Sequence, residues 1–199
     1  MRATLAIAIS LVVCGCVTNS ASRSSLYFPP TELHEFSRDL FSEFFAKSGE
    51  PVLYDHRDVN YAVRVTYFDG KFTILRIERS PSGAITSTCR KFAFTNTGRP
   101  MVEAIARRSI PGAEFEQLTD GISERGFFEL GEDDFVTTGG TEWLVEVYDG
   151  HRYHAVSRVS VGQNEIPLRT AVVAAEIACI SYFRKSTAPI DNRFREDRF

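Results

Sequence analysis

Two stretches of the chain alternate apolar and polar residues on either side of an Asp-Gly pair. The first runs from Tyr61 to Arg79 around Asp69-Gly70, and the second from Trp143 to Val161 around Asp149-Gly150. Asp-Gly between two runs of β-forming residues is one of the strongest short-range hairpin signals, because both residues tolerate the positive φ of a tight turn. The pattern therefore predicts two antiparallel ribbons.

The register of each ribbon is predicted from the requirement that one of its faces be apolar. A three-residue loop meets this requirement in both ribbons, from Phe68 to Gly70 in the first and from Tyr148 to Gly150 in the second. The predicted cross-strand pairs are Val65–Thr73, Val63–Leu75 and Tyr61–Ile77 in the first ribbon, and Val147–His151, Val145–Tyr153 and Trp143–Ala155 in the second.

The opposite faces of the ribbons are predicted to be polar. In the first ribbon that face carries Arg64, Thr66, Arg76 and Glu78, with Phe72 and Ile74 interrupting its polarity. In the second ribbon Glu146 lies across from Arg152, a predicted ion pair, and His154 shares their face. Glu146, Arg152 and His154 are the best candidate for a polar surface site, although a structural ion pair explains them more simply.

Apolar residues at helical spacing predict a helix at each end of the domain. The first runs from about Glu32 to Lys47 and ends at Gly49, and the second begins at Pro167. The apolar stripes are Leu33, Phe36, Leu40, Phe41, Phe44 and Phe45 in the first helix, and Leu168, Val172, Ala175, Cys179 and Tyr182 in the second.

Shorter elements are predicted between these helices. They are a third strand from Ile85 to Thr95, a helix from Pro100 to Arg108, and weaker strands at Ala113–Leu118 and Phe127–Leu130. Together the elements predict an α+β fold. Its antiparallel sheet, built on the two Asp-Gly hairpins, is covered on one side by the N-terminal and C-terminal helices and is partly solvated on the other.

The first 16 residues have the layout of an export signal. Arg2 supplies a positive charge, and Leu5 to Val13 is apolar but too short to span a membrane. The following Val13-Cys14-Gly15-Cys16 resembles the lipobox of bacterial lipoproteins. The resemblance implies cleavage before Cys16 and acylation of Cys16, for example with palmitate. An ordinary cleaved signal peptide, with Cys16 an incidental thiol, is the alternative.

The lipobox resemblance also implies a location in the bacterial cell envelope. Val17 is not the Asp that favours retention in the inner membrane, so the outer membrane, facing the periplasm, is expected. The predicted organisation is a signal peptide (1–15), a lipid-anchored tether (16–30), a single α+β domain (31–185) and a mobile tail (186–199).

Charge and cysteine content narrow the picture further. The formal charge is −3 at pH 7, which offers no electrostatic case for binding nucleic acid. After removal of Cys14 and acylation of Cys16, Cys89 and Cys179 remain as an even pair in an oxidising compartment. A disulfide between them is one prediction, and two buried free thiols are the other.

The common catalytic and cofactor motifs are not found in the sequence, including Gly-x-Ser-x-Gly, the Walker loop and His-Glu-x-x-His. The acidic stretches Asp55–Asp58 and Glu132–Asp134 are interpreted as solvated turns. His151 and His154 are predicted on opposite faces of a strand and so cannot share a metal. We therefore expect no catalytic residue, metal or cofactor.

Three classes of function stay open. The first is a non-catalytic envelope lipoprotein that binds a protein partner in an assembly, which the predicted anchor and tether favour. The second is a periplasmic module that binds a small apolar or glycan ligand, and the third is an enzyme. A flat apolar patch would favour a protein partner, and a concave pocket would favour a ligand.

Overall fold

In the residues that the structure describes, one six-stranded sheet packs against three α-helices. The strands are β1 (Tyr61–Phe68), β2 (Phe72–Arg79), β3 (Ile85–Phe94), β4 (Pro100–Ser109), β5 (Glu142–Tyr148) and β6 (Tyr153–Arg158). The helices are α1 (Glu35–Ser48), α2 (Gly112–Ser123) and α3 (Ile166–Ala175), and a π-helical turn continues α3 (Glu176–Ile180). The structure is a computed structural model, and it describes residues 27–56, 58–68, 70–131, 142–159 and 165–180.

The strands lie in the order β4-β3-β2-β1-β5-β6, and every neighbouring pair is antiparallel. The predicted α+β fold with an antiparallel sheet is confirmed. Strands β1 to β4 form a meander, after which the chain passes through α2 before β5 pairs with β1. Strands β4 and β6 are therefore the two edges of the sheet.

The first hairpin keeps its predicted faces in a different register. Val65 lies opposite Leu75 and Val63 opposite Ile77, which is two residues away from the predicted pairing. A shift of two residues preserves the alternation of side chains, so the apolar face is still the one that was predicted.

The second hairpin contradicts its predicted register, because the loop is four residues long. Asp149 Oδ1 accepts hydrogen bonds from the backbone N–H groups of His151 (3.0 Å) and Arg152 (2.7 Å). This bonding extends the loop, so that Tyr148 pairs with Tyr153 and Glu146 with Ala155. An odd shift exchanges the two faces of β6, and the predicted Glu146–Arg152 pair is therefore wrong.

The elements between β3 and β5 also differ from the prediction. The predicted helix from Pro100 to Arg108 is wrong, because this segment is β4 and pairs with β3 along its length. Tertiary pairing here overrides a local helix signal. The predicted strand at Ala113–Leu118 lies within α2, and Phe127–Glu129 forms a single 3-10 turn.

The helices cover both faces of the sheet rather than one. Helix α1 begins at Glu35, ends at Gly49 as predicted (φ 67°), and packs on the face that includes Phe72, Ile74 and Phe92. Helices α2 and α3 pack on the opposite face, which includes Val63, Val65, Leu75, Ile77 and Val145. The predicted placement of both helices on one side is wrong, because the phenylalanine stripe of α1 requires an apolar face of its own. Towards β4 that face stays solvated, since Thr86 and Arg107 are exposed there.

A disulfide joins β3 to the turn after α3. Cys89 and Cys179 are bonded, and their Cα atoms are 5.6 Å apart. The predicted bridge is confirmed, and it connects residues 90 positions apart in the sequence.

Candidate functional site

Polar residues on the α1 face of the sheet line up across five strands. Glu146, Arg64, Arg76, Thr88 and Arg107 are successive cross-strand partners on β5, β1, β2, β3 and β4. We call this set the polar row. Its Glu146 end is completely buried, whereas Arg107 at the other end is exposed.

The buried end of the polar row is a two-pronged ion pair. Arg64 Nε and Nη2 donate to the two carboxylate oxygens of Glu146 at 2.5 Å and 2.7 Å. Arg64 Nη1 donates to the carbonyl of Pro51 at 2.7 Å, and the guanidinium lies 3.8 Å from the ring centre of Phe45. Burial alone would lower the pKa of Arg64, but the charge and hydrogen bonds of Glu146 raise it.

Tyr153 completes the environment of Glu146 from β6. Its hydroxyl donates to Glu146 Oε1 at 2.9 Å. Burial, followed by the nearby charge of Glu146, raises the pKa of Tyr153 well above its ordinary value. The phenol therefore stays protonated as a hydrogen-bond donor, and Glu146 has three donors within reach.

Glu50 joins the polar row to the end of α1. The left-handed conformation of Gly49 ends the helix, and Glu50 turns down onto the sheet. Its carboxylate lies 2.7 Å from Arg76 Nη1 and 2.6 Å from Arg90 Nη1. The side chains of Glu50, Glu146 and Arg64 have no exposed surface, so a substrate cannot reach them, and ion pairing is the chemistry that they perform.

The exposed end of the polar row widens into an open cavity. Two rows of cross-strand partners, Arg76–Thr88–Arg107 and Glu78–Thr86–Ser109, line it together with Arg108, which pairs with Glu114. We call the six residues of the two rows the polar shelf, and the cavity above it has a volume of about 470 Å³. Arg76 Nε lies 3.0 Å from Glu78 Oε1, but neither buried atom has a hydrogen-bond partner among the described residues.

The three residues predicted as a surface site are not brought together. Glu146 is buried against Arg64, and Arg152 forms an ion pair with Asp149 at 2.8 Å in the hairpin loop. His154 faces the other side of β6 from Glu146's partner Ala155 and binds elsewhere. The sequence analysis did not identify Arg64 or Glu50 as members of a buried ion-pair network. The available signal was Phe72 and Ile74, because apolar residues on a predicted polar face indicate that another element, here α1, packs on it.

His154 connects the N-terminal segment to the edge strand β6. Its Nδ1 lies 2.8 Å from Glu32 Oε2, and its Nε2 lies 2.8 Å from the carbonyl oxygen of Leu130. Both ring nitrogens face acceptors, so the doubly protonated imidazolium satisfies both contacts. Burial lowers the pKa of His154, but the hydrogen bonds to Glu32 and Leu130 outweigh it and raise the pKa.

The two edges of the sheet differ in how their backbone groups are satisfied. On β6, Glu32 Oε2 accepts the outward N–H of Ala155 at 3.0 Å, and Arg158 bridges to the carbonyl of Gly131 and to Glu165. On β4, no hydrogen bond from the described residues reaches the outward backbone groups. We call β4 the open edge and β6 the closed edge.

The open edge is also apolar at one end. Four large side chains on β4 and the end of β3 are between 40% and 53% exposed: Phe94, Met101, Val102 and Ile105. The other apolar concavities lie along α3, with volumes of about 130 Å³ beside Trp143 and 290 Å³ beside Val173.

Several predicted features fall on residues that the structure does not describe. These are the signal peptide with Cys16, the acidic stretch Glu132–Asp134, Tyr182 and the tail. Within the described ranges, no cluster of acidic, histidine and cysteine side chains could hold a metal. No helix there is long and apolar enough to cross a membrane.

Comparison with known proteins adds no relative. No protein-family model matches the chain, and a search of the curated proteins finds no match.

Proposed function

We propose that the chain is a non-catalytic lipoprotein of the bacterial cell envelope that binds another protein through its open edge. The observation that carries this proposal is β4, a ten-residue edge strand with exposed apolar side chains, whose outward backbone groups pair with none of the described residues. Edge strands of this kind pair readily with another chain, and natural proteins block them unless pairing is used.

The closed edge supports a function for the open one. In this domain the side chain of Glu32 accepts a hydrogen bond from the N–H of Ala155 and so blocks β6. A chain that blocks one edge and leaves a longer, apolar edge unblocked has a surface suited to adding a strand. Specific backbone pairing along β4 would supply affinity, and the exposed side chains of Phe94, Val102 and Ile105 would contact alternate apolar side chains of the partner.

The charge of the open edge selects the partner. Lys71 and Lys91 both approach Glu103, at 3.9 Å and 3.7 Å, and Arg107 and Arg108 follow along β4, where Arg108 pairs with Glu114. This edge is net cationic although the whole chain is acidic. Two copies of it would bring like charges together, so the partner is an extended segment of a different protein, apolar at alternate positions and acidic.

The proposed location rests on two features. The lipobox-like Val13-Cys14-Gly15-Cys16 would anchor the chain through Cys16.

 The confirmed Cys89–Cys179 disulfide supports an oxidising compartment such as the periplasm. We propose acylation of Cys16 and attachment to the outer membrane, with the segment that follows Cys16 as the tether to the domain.

Site-specific photo-crosslinking in the native envelope tests the proposal. A photoreactive amino acid at Val102 on the open edge is compared with one at Val173, which is similarly exposed on α3 on the opposite face. We expect one discrete partner from Val102 and not from Val173, identified by mass spectrometry, and its loss in Met101→Glu.

Hydrogen–deuterium exchange with the purified partner then decides the mode of binding. Strand addition requires that amides of residues 100–109 become protected in the complex. Cross-links only between copies of this chain, or protection confined to α3, would overturn the proposed partner surface. In cells, Cys16→Ser is expected to release the protein from the membrane while leaving binding to the purified partner unchanged.

A further inference from the structure

The polar row ends, on the polar shelf, in an arginine that the chain does not neutralise. Glu146, Glu50 and Glu78 lie among Arg64, Arg76, Arg90 and Arg107 on this face of the sheet. The first three arginines each form an ion pair with one of these carboxylates. The unmatched cation is Arg107, which is exposed and has no acidic partner among the described residues.

The geometry of the shelf places Arg107 beside several hydroxyl groups. Thr88 lies directly across from Arg107 on β3, and the next row brings Thr86 and Ser109 together. Directly paired residues on neighbouring strands, and residues two positions apart on one strand, lie on the same face of a sheet. These side chains therefore project to the same side. A ligand above the shelf would therefore meet a guanidinium group and three hydroxyl groups that can donate hydrogen bonds.

The base of the cavity is polar as well. Arg76 and Glu78 are each 17% exposed, and their contact at 3.0 Å lacks hydrogen-bond geometry. His56 Nε2 lies 3.5 Å from the same oxygen, Glu78 Oε1. Glu78 offers an acceptor next to the cationic groups, which favours a ligand that carries hydroxyl groups beside its negative charge.

We propose that the polar shelf binds the carboxylate of a small hydroxylated acid, such as a sugar acid. The carboxylate accepts hydrogen bonds from Arg107 and Thr88, and the hydroxyl groups of the ligand contact Thr86, Ser109 and the exposed part of Glu78. The single unmatched positive charge fits one carboxylate better than a doubly charged phosphate, since Glu78 would repel the second charge. The cavity of about 470 Å³ lies within the usual range for small-molecule sites.

This site shares β4 with the proposed docking of a protein segment, to which Arg107 contributes positive charge. Its ligand contacts lie on one face of the sheet, whereas docking uses the outward backbone groups and the apolar end of β4. Failure of either proposal leaves the other standing, because the protein partner is tested at Val102 and the acid at Arg107.

Titration of the full chain followed by amide NMR spectra tests the site. The probes are D-glucuronate, uncharged D-glucose as its matched control, and inorganic phosphate, each added up to tens of millimolar. We expect saturable shifts at Thr86, Thr88, Arg107 and Ser109 with glucuronate, and weaker or no shifts with glucose. Stronger binding of phosphate than of glucuronate would overturn the choice of ligand.

Two variants locate the binding. Arg107→Gln removes the unmatched charge from an exposed position, and we expect at least about a tenfold loss of glucuronate affinity. Arg99→Gln removes an exposed arginine in the β3–β4 turn, outside the shelf, and should leave the affinity unchanged. Equal affinities in the parent chain and Arg107→Gln, or the absence of shifts at the shelf, would overturn the proposal.

Discussion

The two edges of the sheet show opposite treatments of the same structural problem. At the closed edge, Glu32 accepts the outward N–H of Ala155, and His154 ties the same carboxylate to the carbonyl of Leu130. At the open edge, β4 presents the exposed side chains of Met101 and Val102 and backbone groups that no residue in the described part of the chain pairs with. The contacts at the closed edge serve stability, while the open edge is the surface through which we propose that the domain binds its partner.

Burial along the polar row also changes from the closed edge of the sheet to the open edge. Near the closed edge, Glu146 and Arg64 are fully buried and bonded to each other, and near the open edge Arg107 is exposed. A charge at the buried end must have its partner, because an unpaired charge in a low-dielectric interior is very costly. A charge at the exposed end is solvated, so the same residue type has a different role at each end.

Breaking the buried end should have the largest effect. Arg64→Met leaves the Glu146 carboxylate buried without its cation, and we expect the free energy of unfolding to fall by about 3–5 kcal/mol. Arg107→Met, at the other end of the polar row, should change it by no more than about 0.5 kcal/mol. Urea unfolding of both variants measures the difference, and equal losses would contradict the gradient.

Opening the closed edge should have the next largest effect. Glu32→Ala leaves the N–H of Ala155 and the ring of His154 without their acceptor, at a cost of about 1–3 kcal/mol. Glu43→Ala is the matched control, since the exposed Glu43 pairs only with Lys47 on the same helix. Urea unfolding gives the magnitudes, and faster amide exchange at Ala155 in Glu32→Ala alone would locate the effect at β6.

The closed edge should also depend on pH. Because its contacts raise the pKa of His154, the charged ring stabilises the fold fully below the unfolded-state pKa of about 6.5. This contribution is lost as the pH rises through the folded-state pKa. We expect a decrease of about 1 kcal/mol in the free energy of unfolding across that interval.

Histidine variants isolate this pH effect. His154→Gln should flatten the decrease above about pH 6.5, whereas His151→Gln, in the exposed hairpin loop, should retain it. Unfolding free energies measured between pH 6 and pH 9 compare the two. The same slope in both variants would show that His154 is not responsible.

Changing the open edge should have the smallest effect on stability. Met101 is 53% exposed, so Met101→Glu should alter the free energy of unfolding by no more than about 0.5 kcal/mol. The same variant should abolish cross-linking from Val102 to the proposed acidic partner. A large loss of stability would mean that Met101 contributes to the core, and the contrast between the two edges would be weaker.

Part of the fold follows from short-range patterns. Alternation placed Val63, Val65, Leu75 and Ile77 on one face, and that face is buried as predicted. Helical spacing located α1 to within three residues at its start and placed its end at Gly49. Counting the cysteines left after the predicted processing made a Cys89–Cys179 bridge one of two expected outcomes, and the structure contains that bridge.

The candidate site was not predictable in the same way. From the local alternation, Arg64 is predicted to be an exposed residue of an amphipathic strand. Its burial depends on α1, a separate element that packs on the same face of the sheet. The register of the second hairpin depended on the side chain of Asp149. This side chain accepts two backbone hydrogen bonds, which lengthen the loop and exchange the faces of β6. The charge partners are also remote, since Arg64 and Glu146 are 82 residues apart.

The sequence by itself determined the local periodicity, the end of α1, the apolar face of the first hairpin and the available cysteine pair, because each depends on neighbouring residues or simple counting. Only the tertiary structure decided that both sheet faces are covered, that residues 100–109 form a strand, and that Arg64 and Glu146 meet. These outcomes depend on which distant elements pack together, and in a buried environment that packing decides whether a charged side chain is a surface residue or part of the core.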